Sequence, residues 1–195
     1  AMSVLDGAVD VLSQYIGQPP TSEPGRQHRV NDAYFDRIAA LDFAMANDDG
    51  AIGRFRMADV ILAGVSRTSK TPTCIYLAYR GIRAANLPLV PGRPLPEAFL
   101  RALEEGVPVV GLVASPSRLQ QVRSQRLEIL GDRSLDYADP ERIRGELAEA
   151  RLLFERHDIP VIDVTRRSIE ETAAAVLALM QAAALKDTRR AAAAP

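Results

Sequence analysis

Apolar and polar positions along the chain fall into two regimes that change near residue 57. Before that point the spacing is helical. Val4, Leu5, Ala8, Val11, Leu12 and Tyr15 share one face of a helix predicted over residues 3–16, and Tyr34, Ile38, Leu41 and Met45 stripe a second over about 31–46. Gly17-Gln18-Pro19-Pro20-Thr21-Ser22-Glu23-Pro24-Gly25 between them breaks any regular element and reads as a linker. The second helix stops at Asn47-Asp48-Asp49-Gly50, a turn by default because Asp and Gly tolerate the backbone angles; a metal or general-base role for Asp48 or Asp49 is the sharper alternative.

Beyond residue 57 the pattern alternates. Short apolar runs at 58–63, 87–90, 107–113 and 160–164 are separated by segments of helical period, which predicts strand–helix units building a parallel sheet. A helix is expected over 71–85, with Ile75, Leu77, Ala78 and Ile82 on its apolar face. Ser115-Pro116 and Asp139-Pro140 each pair an N-cap residue with proline at the first helical position. Ser168-Ile169-Glu170-Glu171 is a capping box that opens a last helix to about residue 185. The expected architecture is α/β: a P-loop-containing parallel sheet flanked by helices, with an N-terminal helical appendage. Residues 1–30 read as an N-terminal remnant and linker, 31–186 as the catalytic domain and 187–195 as a disordered tail.

Composition narrows the class. A chain of 195 residues suits one well-cored domain, and 47% hydrophobic with 25% charged residues is globular. A formal charge of −1 argues against a general nucleic-acid binder. No apolar run has the length of a membrane span and no signal peptide opens the chain, so a cytoplasmic protein is expected. The single cysteine, Cys74, excludes an internal disulfide and reads as a small buried apolar residue. Ala1 ahead of Met2 reads as a residue left by tag removal.

The candidate chemistry lies behind the first apolar run. Gly64-Val65-Ser66-Arg67-Thr68-Ser69-Lys70-Thr71 fits the phosphate-cradling G-x-x-x-x-G-K-[ST] spacing, with Ser69 in place of the second glycine. A tight turn from strand to helix aims successive N–H groups at an anion, and the helix adds its positive end. Lys70 supplies a mobile cation and Thr71 a hydroxyl for a phosphate-bound Mg²⁺. Only Lys70 and Lys186 are lysines in the whole chain. An ordinary polar turn is the plain alternative. Ligands of open parallel sheets gather at the carboxyl ends of strands, and Arg67, Arg93, Arg118, Arg166 and Arg167 follow the four runs. Asp163, at the end of the fourth run, is a candidate for Mg²⁺ or for accepting a hydroxyl proton. Asp59 reads as a structural cap, His157 as the end of a helix, and His28 has no clear reading.

The stretch 59–73 (DVILAGVSRTSKTPT), then Tyr76-Leu77-Ala78 and Ala85-Asn86-Leu87-Pro88-Leu89-Val90-Pro91, resembles the bacterial and plastid regulatory proteins of pyruvate, phosphate dikinase, whose relatives regulate phosphoenolpyruvate synthase. Tyr34-Phe35-Asp36-Arg37-Ile38, Asp48-Asp49-Gly50 and the stretch 159–172 (IPVIDVTRRSIEET) fit the same pattern. The resemblance implies a serine/threonine kinase that uses ADP to phosphorylate a threonine of the dikinase. It also implies a phosphorylase that uses inorganic phosphate to remove that group as pyrophosphate. It makes the loop Gly64, Val65, Ser66, Arg67, Thr68, Ser69, Lys70 and Thr71 the ADP site, with Lys70, Arg67 and Asp163 as catalytic candidates and Thr71 facing Mg²⁺. The expected partner is the dikinase or the synthase, and a homodimer stays open. Asn47 stands where many relatives carry histidine, and family members carry a longer N-terminal portion. A small-molecule kinase of the nucleoside-monophosphate or shikimate type, and a non-catalytic ADP sensor, are the competing readings.

Overall fold

The computed structural model describes residues 6–19, 32–48, 53–130 and 135–192. His28, Asp49 and most of the expected linker lie outside them. The chain divides into compact units at 1–32 and 33–195. Among its described residues the first unit holds helix α1, Asp6–Ile16.

The second unit runs α2 (Asp32–Ala46), β1 (Val60–Gly64), α3 (Lys70–Ala78), β2 (Ala84–Pro88), α4 (Glu97–Glu104), β3 (Val109–Val113), α5 (Pro116–Leu130), α6 (Pro140–Arg156), β4 (Val161–Asp163) and α7 (Ile169–Ala192). Short 3₁₀ turns sit at Phe55–Met57 and Leu135–Ala138. The sheet is parallel throughout, in the order β2-β1-β3-β4. β1 and β3 are buried at every position, as central parallel strands covered on both faces must be. β4 alternates exposed and buried because it is an edge. The opposite edge, β2, is buried over 84–87, and the Asn86 amide donates to the Asn47 carbonyl just beyond α2, which caps the open ladder. Right-handed crossovers place α3 on one face and α4, α5 and α6 on the other, and α7 packs on α3. Packing of α5 against α6 agrees. β1 and β3 therefore feed helices on opposite faces, and the crevice at their carboxyl ends is the switch point where such folds bind ligands.

Four boundaries depart from expectation. The helix expected to reach residue 85 ends at Ala78, because Gly81 at φ +80° closes it. Gly81 N–H donates to the Ala78 carbonyl and Ile82 N–H to that of Leu77, the paired bonds of a glycine-terminated helix. Ile82 therefore continues the apolar spacing without belonging to the helix. β2 is 84–88 rather than 87–90, since Ala84-Ala85-Asn86 lacks the β-branched side chains that mark strands. α4 was not expected. α7 continues to Ala192, past the loss of its apolar stripe, consistent with the helix propensity of its Ala- and Arg-rich end.

Gly111 in β3 exists for contact with α6. A Cβ there would lie 2.7–2.9 Å from the Phe154 ring. Gly111→Ala is expected to destabilise the protein by about 1–3 kcal/mol, read as a lower urea midpoint with an unchanged slope.

Candidate active site

Gly64 ends β1 at the switch point. A Cβ there would fall 2.5 Å from the Leu112 carbonyl oxygen and 2.9 Å from Thr68 Oγ1, so only glycine lets the loop turn this close to β3. The loop then uses backbone that side chains resist. Among the described residues only Arg67, Ser69 and Asp158 combine a side chain with positive φ, and two of these three lie here, Arg67 at +71° and Ser69 at +60°. Ser69 thus occupies the left-handed conformation that the second glycine of the pattern ordinarily supplies. It is the N-cap of α3, yet its hydroxyl makes no capping bond. Its carbonyl accepts from the Thr73 hydroxyl at 2.7 Å and the Thr73 amide at 3.1 Å, which anchors the first turn. Thr68 Oγ1 donates to the Val65 carbonyl at 3.0 Å, folding the loop on itself.

Lys70 lies inside this turn, only 5% exposed. Its ammonium donates to the Val65 carbonyl at 2.7 Å and approaches Thr68 Oγ1 at 3.5 Å. Among the described residues no carboxylate forms an ion pair with it. Burial lowers its pKa from 10.5 to about 8; the Cys74 thiol and Asp48 oppose the fall, and Arg123 adds to it. Cys74, beneath Lys70, has its own pKa raised to about 12 by burial, so it stays a neutral thiol.

The next residue faces β2. Asn86 Nδ2 donates to Thr71 Oγ1 at 3.2 Å and to Asp48 Oδ1 at 3.0 Å. Asn86 Oδ1 is buried without a partner. Asp48 is positioned by Asn47, which is buried, donates to Phe43 O and accepts from the Arg54 amide. The Asn86 amide group thus joins the Thr71 hydroxyl and the Asp48 carboxylate beside the loop.

Asp163 is not in that group. It ends β4, two strands from β1 and so roughly 10 Å across the sheet. Its carboxylate accepts from the Thr165 hydroxyl at 2.5 Å and the Thr165 amide at 2.8 Å, which together lower its pKa. It lines a second, open cleft with Ser115, Thr165, Arg166, Arg167 and Glu171. Arg67, Arg93, Arg118, Arg166 and Arg167 are all exposed. Asp59 pairs with Arg83 at the opposite end of the sheet, and His157 caps the C-terminus of α6.

The buried arginine is Arg123, on α5. It pairs with Glu146 of α6 at 2.6 Å, donates to the carbonyls of Tyr137 and Ser66, and stacks on the Tyr137 ring. Sequence reasoning missed it, although the signal existed: Arg123 occupies the apolar spacing between Leu119 and Leu127. Between α6 and the segment after β2 lies an apolar groove of about 380 Å³ that includes Val65, Leu89, Leu95 and Leu153.

A doubly wound parallel sheet with a lysine-bearing strand–loop–helix at its switch point defines an α/β protein. The chain belongs to the kinase/pyrophosphorylase family, whose model matches residues 1–177. It is similar to proteins provisionally named pyruvate, phosphate dikinase regulatory proteins. With that of Caulobacter vibrioides it shares 53% identity over 181 residues, covering 92% of this chain and 57% of the relative. With that of Rhizobium meliloti the figure is 52% over 183 residues, covering 91% and 66%. With that of Hyphomonas neptunium it is 48% over 181 residues, covering 92% and 65%. The chain thus spans less than two thirds of the length of these relatives.

Two outcomes follow from the loop. Lys70 releases its proton at lower pH in the folded protein than in the unfolded chain, so between pH 8 and 10.5 the unfolded chain binds more protons and this group makes stability rise with pH. Chemical denaturation should show wild type gaining on Lys70→Met across that window; parallel curves would remove the buried ammonium from the account. Ser69→Gly relieves the left-handed strain and should stabilise the protein by about 0.5–1 kcal/mol, read from the same experiment.

Proposed function

We propose that this chain carries the phosphotransferase site of a bifunctional regulator of pyruvate, phosphate dikinase. In one direction the β-phosphoryl group of ADP passes to a threonine hydroxyl of the target, giving phosphothreonine, AMP and a proton. In the other, inorganic phosphate attacks phosphothreonine, giving pyrophosphate and restoring the hydroxyl. The observation that carries this reading is Lys70, buried inside the loop that opens α3 with no carboxylate ion pair among the described residues. A buried ammonium held by one backbone carbonyl and a long contact to a threonine hydroxyl keeps donor capacity to spare, and an incoming phosphate would complete it. The names of the relatives support the dikinase as target rather than phosphoenolpyruvate synthase. Among the described residues no helix is long and apolar enough to cross a membrane.

Roles follow from chemistry. The loop amides from Arg67 to Thr71 receive the diphosphate, with the N-terminus of α3 adding its dipole. Lys70 offsets the charge that develops as the phosphoryl group moves, and Arg67, exposed at the rim, serves as a second cation. Asp48 is the better placed carboxylate to receive the threonine proton, because Asn86 ties it to Thr71 at the loop. Asp163, across the sheet, would act only on a substrate that spans the crevice. The Thr71 hydroxyl and the Asp48 carboxylate would be the groups to hold a magnesium ion, which would screen phosphate charge.

The test pairs this chain with purified dikinase in both phosphorylation states. With ADP, mass spectrometry should show one new threonine phosphate and AMP; with phosphate, its loss and pyrophosphate. ATP consumption with a small acceptor would favour the small-molecule kinase, and ADP binding without transfer in either direction the sensor. Lys70→Ala should weaken ADP binding by about 1.5–3 kcal/mol in calorimetry. Asp48→Asn should depress turnover with affinity nearly intact, while Asp163→Asn retains most activity; the reverse ranking would return the base to Asp163.

A further inference from the structure

Behind the loop, on the face opposite α3, lies a charged network that the proposed chemistry does not use. Arg123 is the largest fully buried side chain among the described residues. Its Nη2 reaches Glu146 Oε2 at 2.6 Å and the Ser66 carbonyl at 3.3 Å, and its Nη1 reaches the Tyr137 carbonyl at 3.1 Å. The guanidinium carbon sits 4.9 Å from the centre of the Tyr137 ring, and the hydroxyls of Tyr137 and Ser66 bond at 2.7 Å. Three separate segments, α5, α6 and the turn at Leu135–Ala138, thus meet on one loop residue.

We propose that Arg123 is a positioning residue for the loop, holding the Ser66 carbonyl from behind so that the Arg67 amide is presented to the anion. The reason is covalent geometry. A trans peptide unit is planar, and its N–H points opposite to its carbonyl. Fixing Ser66 O toward α5 therefore turns the Arg67 N–H toward the other side of the loop, where Lys70 and the start of α3 lie. The preceding peptide faces the other way, since the Val65 carbonyl accepts from Lys70 and Thr68. Two cations thus hold successive carbonyls in opposite directions, and the left-handed Arg67 follows directly. The network does not satisfy itself, because Arg123 Nε is buried without a partner. An arginine kept solely for stability is a poor solution here, as a well-packed apolar pair commonly serves as well or better.

That last point supplies the experiment, which rests on the nucleotide reading only in its second arm. Arg123→Met alone leaves the buried Glu146 with only the half-exposed Arg142, 3.9 Å away, and should lower the melting temperature. Arg123→Met with Glu146→Met removes both buried charges and should recover most of it. Hydrogen exchange of the free protein should nevertheless show the 66–69 amides opening at least about tenfold faster than in wild type, the size expected for a lost charged hydrogen bond. ADP affinity should fall by a similar factor. A double variant with wild-type exchange at these amides would overturn the proposal and leave the pair as core packing. Tyr137→Phe, which deletes one hydroxyl, carries the same comparison should the double variant not fold: faster exchange at 66–68 supports the clamp, unchanged exchange overturns it. Exchange is read without ligand, so a wild-type protein that fails to bind ADP would refute the nucleotide site while the clamp is still judged.

Discussion

The structure turns on one buried ammonium. Lys70 stands at the first position of α3, shut from solvent and bonded to a backbone carbonyl, and burial has already weakened its hold on its proton. A lysine placed there for folding alone is a poor choice, since a methionine of similar volume would avoid the desolvation. Under the proposed function, what favours lysine is an anion that would replace lost hydration with phosphate oxygens and raise the pKa again. On that reading the free protein holds the site in a state that costs stability, and binding would relieve it.

The backbone around Lys70 shows the same compromise. Gly64 is fixed by the Leu112 carbonyl, and Arg67 and Ser69 adopt angles that L-residues avoid. Such strain persists only where surroundings over-determine it. Here they are the Thr73 bonds to Ser69 in front, the Thr68 bond to Val65 within, and the Arg123 network behind. The loop is therefore held from both faces of the sheet, as expected at a switch point where flanking helices diverge.

Much of this was legible in the sequence because periodicity reports burial. The fully apolar runs of β1 and β3, the proline-started α5 and α6 and the capping box of α7 all announce themselves locally, and the Ser168 and Glu171 bonds form as that box requires. The glycine-to-Lys-Thr spacing located the loop for the same reason: its chemistry is contiguous. What escaped is nonlocal. The start of β2, residues 84–85, reads as helix because its burial comes from a neighbouring strand and from Asn47, and Arg123 shows no role until Glu146, 23 positions later, folds against it.

Distance across the sheet governs the remaining choice of carboxylate. Asp163 looked favourable because it ends a strand, and in a parallel sheet every strand end faces the same rim. The order β2-β1-β3-β4 sets it at the far edge, and Thr165 already occupies one of its oxygens twice. Asp48 comes from a turn before the sheet begins, yet Asn47 pins that turn to β2, the immediate neighbour of β1. Asn86 then spans the last gap between carboxylate and loop hydroxyl. Under the proposed function a proton moves a few ångströms at most in the transfer step, which is why a group one strand away is proposed ahead of one two strands away. Strand order, which no local pattern encodes, is what separates the two.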